Sequence, residues 1–201
     1  MDRIGKYRVE RLLGRGGFAT VWLCHDPDLD RRVAIKVLAD IYSLDPDVRR
    51  RFTQEARLLS RLDDDRILRI HTIDELPDGR PYFVADYADR GTLRDRIEAQ
   101  ASSPTPMLVD RAIDIARQVA QCLAVAHHHN VVHRDLKPTN VLYRSLPEHR
   151  RTEQADEALV LADFGIARAL EGVGRGAAMT TAAGTVPYMA PEQAQGRADT
   201  R

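Results

Sequence analysis

The sequence predicts a two-lobed α+β fold, an antiparallel sheet with one helix followed by a helical lobe. Three observations carry this expectation. Up to about residue 87 the apolar residues fall in short alternating runs broken by Gly and Asp-Pro turns, with one amphipathic segment among them. From residue 92 the apolar spacing becomes helical. The change falls at residues 88–91, so the expected division is a first lobe over 1–87 and a second over 88–201.

The elements follow in order. YRVERLL alternates loosely, GRGG interrupts, and TVWLCH alternates again, which is the pattern of a hairpin with a glycine-rich turn. DPDLDRR supplies a second turn, in which Asp26, Pro27 and Asp28 bring the turn chemistry. VAIKVL is a third strand, with Val33, Ile35 and Val37 on one face and Ala34, Lys36 and Leu38 on the other. Asp45 before Pro46 reads as an N-cap with proline at the first helical position, opening DPDVRRRFTQEARLLSRL. In that helix Val48, Phe52, Glu55, Leu59 and Leu62 share one stripe, so Glu55 lies on an apolar face and needs a cation. Strands follow near ILRIHTID and PYFVADY, about a turn at Pro77, Asp78 and Gly79. TLRDRIEAQ and the long VDRAIDIARQVAQCLAVAHHH are helical, the second spanning 109–126 in its apolar part. LVLADF reads as a strand, LPEHRRTEQADEA as a charged loop, and EGVGRGAAMTTAAG has no periodicity.

Composition narrows the function. The 201 residues balance 30 basic against 30 acidic side chains, which argues against non-specific nucleic-acid binding. No stretch has the length of a membrane span and the N-terminus has no apolar signal core, so a cytoplasmic location is expected. Cys24 and Cys122, in no metal-ligand spacing, fit a reducing compartment. The basic residues are almost all arginine, and the lysines are only Lys6, Lys36 and Lys137. A chain that defaults to Arg yet keeps Lys at two interior positions needs a compact ammonium there.

Chemistry-bearing residues cluster in a few segments. Gly14, Gly16 and Gly17 would let backbone amides approach phosphate closely, although in isolation an ordinary hairpin turn is the first reading. Lys36 on its strand and Glu55 on its helix each resolve the other's burial cost. HRDLKPTN, 133–140, lies between the apolar pairs Val131, Val132 and Val141, Leu142, and reads as a polar loop between strands. Within it Asp135 is placed to accept a hydroxyl proton and Lys137 to stabilise phosphate charge, while Asn140 and Asp163 are oxygen donors suited to Mg²⁺.

GRGGFATV, VAIK, the helix glutamate, HRDLKPTN, DFG and APE occur here in one order, and together they resemble the eukaryotic-like protein kinases, especially bacterial serine/threonine kinases. The resemblance implies a protein kinase-like fold, ATP and Mg²⁺ as nucleotide and metal, and γ-phosphate transfer to Ser/Thr hydroxyls of protein substrates, autophosphorylation included. It implies a phosphate lid of Gly14, Gly16 and Gly17, and adenine contacts from Leu13, Val21, Ala34, Leu142 and the backbone at Asp86 and Ala88. Lys36, held by Glu55, would bind the α- and β-phosphates; Asp135 and Lys137 would serve the transfer, and Asn140 and Asp163 the metal. Ala85 falls at the gatekeeper position, where a small residue implies room behind the adenine. Arg134 and Arg168 would pair a phosphate at Thr180 or Thr181, with Thr185 bonding to the catalytic loop. A pairing of two kinase domains is also compatible with the family.

The chain departs from the family pattern at Ala19, where a third lid glycine is usual, and in a longer loop between Leu142 and Leu159. It ends at GRADTR, where the family continues, so an incomplete helical lobe is expected, without the arginine that would pair with Glu192 and with apolar surface exposed on helix 109–126. Two readings stay open: most of a catalytic kinase domain, or a nucleotide-binding or kinase-interacting module without turnover. His127, His128 and His129 read as a solvated helix end, Asp63, Asp64 and Asp65 as a solvated turn, and Cys24 as a packed thiol.

Overall fold

The structure, a computed structural model, describes residues 2–103, 105, 107–152, 155–164 and 186–191. A six-stranded antiparallel sheet is built from β1 (Arg3–Ile4), β2 (Tyr7–Arg15), β3 (Ala19–Asp26), β4 (Arg31–Leu38), β5 (Ile70–Glu75) and β6 (Pro81–Asp86), in the order β1-β2-β3-β4-β6-β5. Helix α1 (Pro46–Leu59) crosses it, and α2 (Leu93–Ala101), α3 (Val109–His128) and the hairpin β7 (Val141–Ser145) and β8 (Glu157–Leu161) follow. This is the expected two-lobed α+β arrangement.

Cross-strand register sorts the sheet into two faces. Val33, Ile35 and Val37 of β4 bury with Ile4, Tyr7, Cys24, Tyr82 and Val84 on the outer face. On the other, Val21 stands opposite Lys36, Leu23 opposite Ala34, and Ala85 and Phe83 opposite Ala34 and Lys36. That inner face packs on α1 through Phe52, Ala56 and Leu59, and its core runs on into Cys122, Ala126, Leu159, Leu161 and Phe164 of the second lobe. A backbone bridge between Ile67 and Leu161, with Leu161 N–H donating to Arg66 O at 2.9 Å and Leu68 N–H to Leu161 O at 2.9 Å, carries the joint at the chain level.

The capping follows the sequence closely. The Asp45 carboxylate accepts from the amides of Asp47 and Val48, and Thr92 with Asp95 forms a reciprocal capping box on α2. Arg96 lies over the Tyr143 ring and makes two 2.6 Å bonds to Glu157, which pins α2 to the β7–β8 hairpin.

Three readings need correction. Helix α1 stops at Leu59, so Leu62, though buried, reaches the core from the turn after the Ser60 cap. β2 continues through Gly14 and Arg15, past a register shift between Leu12 and Gly14, so the glycine turn is shorter than GRGG. Val131 and Val132 are not a strand. Asn130 takes a left-handed φ of 57°, its amide donates to His127 O at 2.9 Å, and the Val131 amide donates to Ala126 O at 2.9 Å. That is a Schellman end to α3, with asparagine in the position glycine usually fills, and it occupies the donor a strand would need. HRDLKPTN therefore links a helix to a strand.

Exposed apolar side chains on and before α3, Leu108, Val109 and Ile113, match the expected exposed surface on this helix. Among the described residues no helix is long and apolar enough to cross a membrane.

Candidate active site

Lys36 is brought to the cleft face by the alternation of β4. Its Nζ lies 2.9 Å from Asp163 Oδ1 and 3.8 Å from Glu55 Oε1, and 5.7 Å from the centroid of Phe83. Glu55 is 5% exposed, so the buried carboxylate of the α1 stripe has its cation, as its burial requires. Burial alone would lower the Lys36 pKa, but the carboxylates of Asp163 and Glu55 outweigh it and hold the ammonium above the ordinary lysine range. For Asp163 the loss of water works to raise the pKa, and the Lys36 ammonium more than offsets it, leaving the carboxyl below its usual value. The pair is therefore fully ionised at neutral pH.

The loop after α3 folds its polar side chains onto one another. Lys137 Nζ donates to Asp135 Oδ2 at 2.8 Å, and Asn140 Nδ2 donates to Asp135 O at 2.8 Å and, less closely, to Asp135 Oδ2 at 3.2 Å and Asp163 O at 3.4 Å. The Ala162 amide donates to Asn140 O at 3.0 Å, so the loop and the segment bearing Asp163 are tied through both backbone and side chain. Arg134 and Asp163 sit at φ 60° and 55°, a conformation unfavourable for a non-glycine residue, and arginine is the costlier of the two there.

Sequence reasoning gave no role to His133 and Phe164, which the structure makes central. His133 is 2% exposed, stacks on Phe164 at 4.4 Å, and its Nε2 lies 3.1 Å from Ala162 O. Burial lowers its pKa, so the ring is neutral, with the proton on Nε2 donated to that carbonyl and Nδ1 facing the Asp135 amide at 3.4 Å. The ring is a neutral post that joins the two segments. The signal was present in the sequence as the positions next to Arg134 and Asp163, but a buried neutral imidazole has no pattern of its own.

The lid glycines answer a question the sequence left open. Gly14, Gly16 and Gly17 do not adopt positive φ, and among the described residues a Cβ added at Gly14 or Gly17 would meet no atom within 4 Å, while at Gly16 the nearest is Ala19 O at an ordinary 3.6 Å. Neither positive φ nor packing among the described residues requires glycine here. What remains is room for something outside the chain to approach the backbone, which fits phosphate. Leu13, Val21, Ala34, Ala88 and Leu142, the apolar residues expected to meet the adenine, are all half-buried. The Asp86 amide donates to Arg69 O at 3.0 Å, and its carboxylate lies 2.6 Å from His71 Nε2. Ala85 is 2% exposed, between Ala34 and Ile70. Asn140 and the Asp163 carboxylate supply two hard oxygen donors, few enough for a metal that keeps water and substrate oxygens as its other ligands.

Elsewhere, His127, His128 and His129 are exposed at the end of α3. Asp64 and Asp65 enter a turn closed by the Ile67 amide on Asp64 O, and the three aspartates are bound by arginines: Asp63 pairs with Arg69, Asp64 with Arg66, and Asp65 with Arg144 and Arg150, around a cavity of about 620 Å³. Cys24 is fully buried and burial pushes its thiol up to about 12, the packed and unreactive state. Gly165, Arg168, Thr180, Thr181, Thr185 and Glu192 lie outside the described residues.

The protein kinase domain family model matches residues 7–200. The serine/threonine-protein kinase PknJ of Mycobacterium tuberculosis is 39% identical over 191 residues, covering 95% of this chain and 30% of PknJ. PrkC of Bacillus subtilis, also a serine/threonine-protein kinase, is 36% identical over 192 residues, 96% of this chain and 27% of PrkC. The chain thus spans under a third of the length of these curated relatives. The crystal structure of the Mycobacterium tuberculosis PknI kinase domain superposes with a TM-score of 0.63 at 30% identity, over 82% of this chain and 61% of that one. With a family model over nearly its whole length and named serine/threonine kinases aligned across it, the chain belongs to the protein kinase domain family.

Proposed function

We propose that the site transfers the γ-phosphoryl group of ATP to Ser or Thr hydroxyls of proteins. The observation that carries this reading is the convergence of Lys36, Glu55 and Asp163 with the Asp135–Lys137–Asn140 cluster below a lid whose glycines serve no internal purpose. Lys36 orients the α- and β-phosphates, and Glu55 holds Lys36 in place. Asp135 orients the acceptor hydroxyl and takes its proton as the hydroxyl oxygen bonds to the γ-phosphorus and the bond to the β–γ bridging oxygen breaks, releasing ADP. Lys137, hydrogen-bonded to Asp135, stands where it stabilises negative charge on the phosphoryl in flight. Asn140 and Asp163 would hold Mg²⁺, which when bound neutralises charge on the β- and γ-phosphates.

The test is to incubate the chain with γ-labelled ATP, Mg²⁺ and a protein acceptor and identify the labelled residues. Label on phosphoserine and phosphothreonine, absent in Asp135→Asn, supports the proposal. ATP binding by the wild type without transfer would favour the binding-module reading instead. The same reading extends to control by autophosphorylation at Thr180 or Thr181. A Thr180→Ala, Thr181→Ala double variant should lose most of its activity, and unchanged activity would count against that extension.

A further inference from the structure

We propose that Tyr42 is a positioning residue that anchors the tip of the glycine-rich lid to the entry of α1, so that grip on the nucleotide phosphates depends on the helix that carries Glu55. The inference rests on the nucleotide reading above. Between Gly14 and Ala19 three residues have no side chain and Arg15 is exposed, which leaves the half-buried ring of Phe18 as the lid's handle. That ring stacks on Tyr42, with centroids 5.0 Å apart and planes 23° from parallel. The Phe18 carbonyl accepts from the Ala39 amide at 2.9 Å, and the Gly16 amide donates to Ala19 O at 2.8 Å, so the tip is fastened toward residues 39–42.

Those residues are not a slack loop. Asp40–Tyr42 forms a 3-10 turn in which Tyr42 faces the inner core while Ile41 and Leu44 face solvent. The Tyr42 carbonyl accepts from the Asp45 amide at 3.1 Å, and Asp45 is the N-cap of α1. From lid tip to Glu55 the path is thus one ring stack, one hydrogen bond and one helix. Among the described residues this stack is the ring contact that holds the lid tip, so its loss frees the tip and weakens the hold on phosphate alone.

The test compares ATP with adenosine, which lacks the phosphates. In titrations with Mg²⁺, Tyr42→Ala and Phe18→Ala should each weaken ATP binding about two- to ten-fold, the range an aromatic pair contributes, and leave adenosine binding unchanged. Tyr42→Phe, which keeps the ring, should restore the wild-type value, and the Tyr42→Ala, Phe18→Ala double variant should be no weaker than the weaker single one. Equal loss for ATP and adenosine, additive losses in the double variant, or wild-type ATP affinity in Tyr42→Ala would overturn the inference and leave the kinase reading standing. A wild-type chain that binds no ATP would overturn both.

Discussion

Lys36 meets two carboxylates from segments 19 and 127 positions along the chain, and its charge is what the cleft is built around. The Asp163 contribution to stability is present above its ordinary value of 3.8 and lost as pH falls through its lower folded value; that of Lys36 is fully present below 10.5 and lost as pH rises through its raised one. Between those limits the wild-type pair is constant. Lys36→Met should therefore cost about 2 kcal/mol near neutral pH, less than a fully buried pair because Asp163 is partly exposed. Removing Lys36 takes away the largest influence that lowers the Asp163 pKa and leaves Lys137 to oppose desolvation, so the penalty should shrink as pH falls toward about 4, a trend urea unfolding at both pH values will show. Ala85 makes a second prediction: the wild type should accept ATP analogues with bulky N6 groups and Ala85→Met should reject them, read as relative kcat/KM. Equal rejection by both would remove the gatekeeper assignment. The partners of Lys36 were legible as a burial argument for Glu55, whereas the closer one, Asp163, was legible only as a metal ligand, since nothing local announces a contact across the whole chain.

At the scale of elements, local chemistry was legible where it was self-contained. The Asp45-Pro46 start of α1 was written in two residues and formed as expected, while the Thr92–Asp95 capping box of α2 went unread although its residues stand three apart. The ends were harder. The apolar spacing of α1 runs on to Leu62 although the helix stops at Leu59, because a turn can deliver the same buried side chain. Val131 and Val132 have strand propensity, but the Schellman end of α3 claims the Val131 amide, and two residues without a partner strand cannot resist it. Asp45→Ala should cost about 1 kcal/mol in unfolding free energy, and, because α1 carries Glu55, it should also raise KM for ATP. A stability loss with an unchanged KM would mean that α1 holds Glu55 without its cap.

Over the whole molecule, the two lobes are legible in the change of periodicity near residue 90, yet what fastens them was not. Behind the strand that ends at Asp86, Arg144 of β7 bonds to Asp65 O at 2.9 Å and lies 3.7 Å from the Asp86 carboxylate, which also meets His71 at 2.6 Å. Polar side chains from four separate segments form this junction, and a charge pair between distant segments leaves no period in a sequence. Because such half-exposed pairs are individually weak, Arg144→Ala should lower stability by about 1 kcal/mol or less while speeding amide exchange at Asp86, where backbone and network meet. The account as a whole depends on the cluster under the lid being a phosphoryl-transfer site in which Asp135 acts on the acceptor and Lys36 on the nucleotide. The most direct measurement is ATP affinity and phosphoryl transfer, side by side, in the wild type and Asp135→Asn. The account predicts nearly unchanged affinity with transfer reduced about 10²- to 10⁴-fold, the range of a lost general base. Transfer at the wild-type rate in Asp135→Asn would contradict it.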